Sequence, residues 1–180
     1  RALIVAIGRY GAPPPDFPEP GVRLKAYRPL NASNDTLLML DALRRFGFRR
    51  DNIDVVANEE ATLDGLRGGL ERLVQVTRPG DNVVIHYSGH GHQIADEDRP
   101  LEEEDGLDEL LVPYGAPDEY FPGYDGSLHM RDDEFGTYIQ RLRAAAGAGG
   151  VVTVFVDACF SGTVTRDFAD YEAPVRGSVL

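Results

Sequence analysis

Short apolar runs alternate along the chain with segments whose apolar residues recur at helical spacing. Four runs are short, continuous and rich in aliphatic residues, at 2–8, 52–57, 82–87 and 151–159. Such runs are typical of strands buried on both faces of a parallel sheet. The intervening spacing predicts helices at 34–46, from the N-cap Thr62 to the turn at Pro79, and at 132–146. This alternation predicts βαβ units, and therefore an α/β fold with a mostly parallel central sheet flanked by helices.

Two segments lack this pattern and are predicted to be loops. Residues 9–30 are rich in proline, which interrupts regular elements. Residues 96–109, DEDRPLEEEDGLDE, are too acidic to pack as a core element and predict an exposed loop. The chain has 180 residues, of which 42% are apolar, and no internal repeat, so residues 1–180 are predicted to form one domain.

Composition excludes several classes of function. The net charge of −12 argues against a nucleic-acid partner, because phosphate binding relies on Lys and Arg patches. No apolar run approaches the roughly 18 residues of a membrane span, so no membrane partner is expected. A lone cysteine cannot form an internal disulfide, and no secretion signal opens the sequence. These features predict a soluble protein in the reducing cytoplasm.

A histidine and the single cysteine follow two of the predicted strands. His90 lies in SGHGHQ, just past the third strand, and Cys159 ends the fourth. In open α/β sheets, ligands bind outside the carboxyl ends of the strands. If the two strands are neighbours, the imidazole can take the thiol proton and later protonate a leaving amine. The alternative is that Cys159 is an inert small hydrophobic residue.

The residues around this pair suggest an oxyanion hole and a cation pocket. We expect the backbone N–H groups of Gly91 and Cys159 to stabilise a tetrahedral intermediate. Asp157 lies two positions before Cys159 on an extended segment, so both side chains point to the same side of the sheet. A carboxylate there disfavours the thiolate. Its presence is understandable if Asp157 binds a cationic side chain of a substrate.

The motifs HYSGHG (86–91) and DACFSG (157–162), in this order on the third and fourth strands, resemble the caspase-like cysteine peptidases of family C14. The similarity is to the metacaspase and bacterial orthocaspase branch, and it extends over most of the chain. It includes ALIVAIG, Asn34-Asp35, PGDNVVIHYSGHG, EEEDGLDELLVP and Arg131-Asp132-Asp133-Glu134. The resemblance implies a three-layer caspase-like fold and a His90–Cys159 dyad. It also implies that Asp35 and Asp157 form an acidic S1 pocket for Arg or Lys before the cut bond.

The same resemblance implies further components. The chemistry itself needs no cofactor, but the calcium site of many metacaspases corresponds to Asp108, Asp132 and Asp133, whose hard oxygens suit Ca²⁺. The fourth aspartate of that site falls on Arg166. The chain corresponds to a large subunit, so a C-terminal small subunit of the same precursor is an expected partner. Activation by proteolysis, by an upstream protease or at Arg99, Arg166 or Arg176, is also expected.

Several alternatives remain open at this point. The alternative for Asp35 is that it serves only the helix dipole, and for Asp108, Asp132 and Asp133 that they belong to a solvated loop and a helix N-terminal turn. His86 is expected to pack and His92 to face solvent, rather than to bind zinc with His90. For the whole chain, the alternative to a peptidase is a caspase-like non-catalytic scaffold or peptide-binding module. The clostripain and legumain branches are the alternatives among enzymes.

Overall fold

The computed structural model describes residues 1–14, 17, 24–95, 107–118 and 124–159. Seven strands are present in this part of the chain: β1 (Ala2–Ala6), β2 (Ile53–Ala57), β3 (Asn82–Ser88), β4 (Gly91–Ala95), β5 (Leu107–Leu111), β6 (Met130–Arg131) and β7 (Val151–Asp157). Three α-helices accompany them: α1 (Ala32–Arg45), α2 (Leu63–Val76) and α3 (Asp132–Ala146). Every strand and helix predicted from the periodicity is therefore present, with ends that differ by a few residues.

The central sheet has the strand order β2-β1-β3-β7, and all of its pairings are parallel. Helix α1 covers one face of the sheet, where it buries Ile4, Leu43 and Val84. Helices α2 and α3 cover the other face, over a larger core that includes Leu3 and Ile85. The predicted α/β fold with a mostly parallel sheet between helical layers is thus confirmed, and the three layers match the expected caspase-like architecture.

Local signals explain why these helices begin and end where they do. Thr62 is the N-cap of α2, and its hydroxyl accepts a hydrogen bond from the Gly65 N–H at 3.1 Å. This bond satisfies one of the otherwise unpaired amides of the first turn. Helix α3 ends at Gly147, whose positive φ of 64° suits glycine.

A small antiparallel sheet, β4-β5-β6, was not predicted. Strand β5 overlaps the C-terminal end of the predicted acidic loop, so the prediction of an exposed loop is wrong for residues 107–109. Asp108 lies in β5 and is only 3% exposed. Its burial is possible because it forms an ion pair with Arg131 of β6. A count of charges along the sequence cannot reveal such a partner; residues 96–106 lie outside the described part.

The strand order places a crevice at the carboxyl ends of β1 and β3. From β1 the chain passes through α1 to β2 on one side, and then through α2 to β3 on the other. Ligands of open α/β sheets bind at such a reversal of strand order. Among the described residues, no helix is both long and apolar enough to cross a lipid bilayer.

Candidate active site

His90 and Cys159 occupy equivalent positions just past the ends of the neighbouring strands β3 and β7. Ser88, the last residue of β3, is in register with Asp157, the last residue of β7, and the Gly89 N–H donates to the Asp157 carbonyl at 3.2 Å. His90 and Cys159 each follow two residues later. Paired strands lie about 4.8 Å apart, so the two segments leave the sheet side by side. Cys159 is exposed, as a nucleophile that meets a large substrate must be.

The imidazole of His90 is oriented by a backbone carbonyl and two aromatic rings. Its Nε2 lies 2.8 Å from the Arg28 carbonyl oxygen. Because a carbonyl only accepts hydrogen bonds, this contact favours the tautomer with the proton on Nε2 and the lone pair on Nδ1. The rings of Tyr10 and Tyr27 pack against the imidazole, each with a centroid distance of 5.0 Å. The ring therefore has a fixed orientation and a basic nitrogen available.

Two tyrosine hydroxyls hold the backbone of His90. The His90 N–H donates to the Tyr10 hydroxyl at 2.7 Å, and the Tyr87 hydroxyl donates to the His90 carbonyl at 2.7 Å. Burial raises the pKa of Tyr10 to about 12 and raises the pKa of Tyr87 as well, so both hydroxyls stay protonated near neutral pH. Tyr10, Tyr27 and the Arg28 carbonyl were not predicted, because the proline-rich loop offers no periodicity that places them near His90.

Gly89 has no room for a side chain beside these hydroxyls. A Cβ at this position would lie 2.7 Å from the Tyr87 hydroxyl oxygen and 2.8 Å from that of Tyr10. We expect Gly89→Ala to displace both hydroxyls and shift His90. The expected cost is about 1–3 kcal/mol of unfolding free energy and at least a tenfold loss of kcat/KM. Urea unfolding and peptide hydrolysis measure the two effects.

Gly136→Ala is the matched control for this substitution. Gly136 lies in α3, and a Cβ there would meet no atom within 4 Å. Because alanine favours helices over glycine, the control should stabilise the protein by about 0.5–1 kcal/mol and leave hydrolysis unchanged. If both variants retained wild-type kinetics, the tyrosine contacts would have no bearing on His90.

The backbone N–H of Gly91 is directed away from β5. The Val112 N–H donates to the His90 carbonyl at 3.1 Å, which is one of the two bonds of a hydrogen-bonded antiparallel pair, while the His90 N–H donates to Tyr10 instead. Gly91 is opposite Leu111, the next pair along, whose backbone groups point away from one another. The register is therefore compatible with the predicted role of Gly91 as an oxyanion donor.

Two carboxylates meet at the carboxyl end of β3. Asp35 lies in the first turn of α1 and accepts a hydrogen bond from the Ser88 hydroxyl at 2.6 Å. Asp157, on β7, is in register with Ser88, so its side chain projects from the same face of the sheet. The Asp35 carboxylate therefore links the first turn of α1 to the end of β3. Ser88 was not predicted as a site residue, although it lies within the HYSGHG motif.

The three aspartates of the predicted calcium site are not grouped as a metal site in the described residues. Asp108 is paired with the guanidinium of Arg131, whose other Nη donates to the Asp125 carbonyl at 3.0 Å. Asp132 has a buried Oδ1 without a hydrogen-bond partner, and burial together with the charge of Asp133 raises the pKa of Asp132. No group of three or more His, Cys, Asp or Glu side chains in the described residues is arranged to hold a metal ion. As placed here, these aspartates do not fit a calcium ion.

The other histidines belong to a buried aromatic cluster or to the sheet. His129 is buried between the hydroxyls of Tyr124, at 2.7 Å, and Tyr27, at 3.4 Å, and burial lowers the pKa of His129 to about 3. His92 is half-buried with its ring edge-on to that of Tyr27, so the expectation that it faces solvent is wrong in part. His86 is buried, as predicted.

Comparisons with known proteins identify the family of the chain. A family model described as "Metacaspase, peptidase C14 domain" matches residues 28–167. Metacaspase-1 of Eremothecium gossypii is 30% identical over 67% of this chain, and metacaspase-2 of Arabidopsis thaliana is 33% identical over 75%. The matched regions make up 25% and 30% of those relatives, so the chain corresponds to only part of their length.

A solved structure supports the fold independently. The crystal structure of protein GSU0716 from Geobacter sulfurreducens superposes with a TM-score of 0.59 at 23% identity, over 91% of this chain and 52% of that one. At this identity the similarity concerns the fold alone. The family match over residues 28–167, with a relative that is 33% identical over 75% of this chain, shows that the chain belongs to the metacaspase family of peptidase C14 domains.

Proposed function

We propose that this chain is the catalytic portion of a cysteine endopeptidase that cleaves proteins after Arg and, less readily, after Lys. The observation that carries the proposal is the shared sheet edge. At this edge Ser88 is hydrogen bonded to Asp35 and in register with Asp157. His90 and Cys159 each follow two residues further along the chain, past the ends of the two strands. A cation pocket next to a nucleophile and base selects the residue that precedes the cut bond.

Nδ1 of His90 takes the proton of the Cys159 thiol, because Nε2 is engaged with the Arg28 carbonyl. The thiolate attacks the peptide carbonyl carbon and forms a tetrahedral intermediate. The N–H groups of Gly91 and Cys159 stabilise its negatively charged oxygen. The carbon–nitrogen bond then breaks, and His90 donates its proton to the departing amine.

The product of this step is a thioester between Cys159 and the new carboxyl end of the substrate. Water attacks the thioester with His90 as general base, and the thiol leaves with the proton. The tyrosine contacts that hold His90 keep it in place for both half-reactions. A reducing cytoplasm suits such an enzyme, because the thiol must remain unoxidised.

A further segment of the same precursor, the small subunit, is the partner that we assign to β7. On the face of the sheet that α1 covers, β7 leaves Phe155 43% exposed, and Leu38 of α1 is 69% exposed. Strand β7 is also an edge strand of the central sheet in the described residues, and such an edge is a template for pairing with another segment. Regulation by proteolysis remains part of this proposal; the candidate cleavage positions Arg99, Arg166 and Arg176 lie outside the described residues.

Hydrolysis of fluorogenic peptides that differ only in the residue before the bond tests the proposal. The full-length protein should cleave the Arg peptide faster than the Lys peptide, and the Asp peptide not at all. Legumain-like specificity would appear as cleavage after Asn. A protein that labels with thiol-directed peptides but cleaves none of them would be a peptide-binding module.

Calcium enters none of these steps, and Arg131 offers a test of the predicted metal site. We expect Arg131→Gln to leave the buried Asp108 carboxylate uncompensated and to lower the unfolding free energy by about 3 kcal/mol. Added Ca²⁺ should raise the melting temperature of this variant and leave that of the wild type unchanged. Differential scanning fluorimetry with and without a chelator measures both.

Arg141→Gln is the control, since Arg141 forms a bidentate ion pair with Glu71 at the protein surface. Losing that pair should cost less than about 1 kcal/mol and create no response to calcium. A large calcium shift in the wild type would instead mean that the ion displaces Arg131 and binds the three aspartates.

A further inference from the structure

His86 lies beneath the carboxylates of the candidate S1 pocket and has unused hydrogen-bonding capacity. It lies in the middle of β3, is 6% exposed, and its Nδ1 is buried without a hydrogen-bond partner. Its register neighbours are Ile4 on β1 and Phe155 on β7, neither of which offers a polar side chain. An unpaired ring nitrogen in this position destabilises the fold, which calls for an explanation outside the fold itself.

The geometry connects this ring to the pocket. Ser88 follows His86 by two residues on the same strand, so both side chains project towards the α1 side of the sheet. Ser88 is hydrogen bonded to Asp35 and is in register with Asp157. His86 is thus one pleat deeper in the sheet than the residues that would receive the substrate cation.

The charges around His86 come from α1 and β7. Burial lowers the pKa of His86, and the negative charges of Asp35 on α1 and Asp157 on β7 oppose this effect. Neighbouring positions on β1 and β7 carry no charge at this depth, since they are Ile4 and Phe155. The imidazole is therefore neutral at pH 7 and gains a proton only below its ordinary pKa of about 6.5.

We propose that His86 is a specificity-determining residue at the base of the S1 pocket, where a ring nitrogen accepts a hydrogen bond from the guanidinium of a substrate arginine. The inference rests on the proposed function. A guanidinium has five N–H donors in a planar fork and can contact both carboxylates and the ring below them. A lysine ammonium is compact, with three donors that Asp35, Asp157 and Ser88 already satisfy. His86 therefore favours Arg over Lys.

Two substitutions of His86 distinguish the effect of the hydrogen-bond acceptor from the effect of the shape of the ring. His86→Phe keeps an aromatic ring and removes the acceptor, and it should fold well because it removes a buried unsatisfied group. We expect its Arg-to-Lys ratio of kcat/KM to fall about tenfold, the usual effect of losing one hydrogen bond to a charged group. His86→Gln retains an acceptor and should keep most of the ratio. Val84→Ala, on the same face of β3 one pleat further from the site, controls for altered packing of the strand.

The pH dependence of the ratio gives a second readout. Protonation removes the acceptor and places a positive charge in the pocket, so the wild-type ratio should hold from pH 8 down to the ordinary histidine pKa of about 6.5 and fall only at lower pH. His86→Gln cannot titrate, and its ratio should stay constant over this range. Taking the ratio cancels any effect of pH that the two substrates share. A ratio that is unchanged in His86→Phe, or that falls equally in all three variants, overturns the proposal.

A binding measurement keeps this inference separate from catalysis. In the full-length protein with Cys159→Ala, the NMR signals of His86 should shift when an Arg peptide is added, and the pKa of His86 should fall further, because the guanidinium disfavours a second cation. A Lys peptide should produce a smaller change. If the wild type cleaves nothing but these shifts occur, the proposed peptidase function fails and the role of His86 stands. If cleavage occurs without any shift, the peptidase function stands and the proposed role of His86 fails.

Discussion

Replacing Cys159 by alanine should abolish peptide cleavage and leave the fold intact. The substitution removes the atom that forms the thioester, and no other cysteine exists in the chain to replace it. We expect kcat/KM on an Arg peptide to fall at least about a thousandfold, because the remaining groups can only orient water and stabilise an oxyanion. Progress curves with the fluorogenic Arg peptide, followed over hours at high enzyme concentration, resolve a loss of this size.

Two controls show that such a loss is chemical and not structural. Cys159 is exposed beyond the end of β7, so the unfolding free energy of Cys159→Ala should stay within about 0.5 kcal/mol of wild type. His90→Ala should be nearly as inactive, and its single thiol should react more slowly with iodoacetamide, because the base that removes the proton is gone. Turnover of Cys159→Ala above a few per cent of wild type would show that Cys159 is not the nucleophile.

Much of the central layer is encoded locally and was predictable from the sequence. The strands β1, β3 and β7 are buried on at least one face along most of their length, and their continuous apolar runs therefore predict them. Helix α2 has a side-chain cap at Thr62 and a stripe of buried leucines, which are local signals. The positions of His90 and Cys159 follow from these strands, because a parallel sheet brings the carboxyl ends of its strands to one edge.

The small sheet and the contacts to His90 could not be predicted, because they depend on partners distant in sequence. Strand β5 contains the buried Asp108, and only the ion pair with Arg131 makes that burial acceptable. Tyr10 and the Arg28 carbonyl reach His90 from a proline-rich segment far away in the chain. Loop segments lack the periodicity that orients helices and strands, so their side chains have no predictable direction.

The distribution of charge at the sheet edge reconciles two opposing requirements. A cation pocket must be negatively charged and lie close to the nucleophile, yet attack on the peptide carbonyl develops negative charge at the same edge of the sheet. A bound Arg or Lys neutralises the pocket, so the negative charge that develops on the oxyanion is opposed less in the complex than it would be beside an empty pocket. Substrate charge would then contribute to catalysis as well as to binding, which links the S1 carboxylates to kcat as well as to KM.

Removing the charge of these carboxylates should therefore reduce cleavage after Arg selectively. We expect Asp35→Asn and Asp157→Asn each to lower kcat/KM for an Arg peptide by about tenfold, and the double variant by roughly a hundredfold. Asparagine at position 35 can still accept the hydrogen bond from Ser88, so the local structure should persist. For a peptide with a neutral residue before the bond, Asp157→Asn should not lower the activity, because such a peptide has no cation that the carboxylate could bind.

The control and the salt dependence make this prediction specific to the pocket. Asp54→Asn causes the same loss of charge on β2, the other edge strand of the sheet, and should leave the kinetics unchanged. The wild-type preference for Arg should weaken as ionic strength rises, and the double variant should show little salt dependence, because its pocket carries no charge to screen. If the double variant retained the wild-type preference for Arg, other groups would have to form the cation pocket. Activity lost equally on Arg and neutral peptides would instead assign Asp35 and Asp157 to the catalytic step.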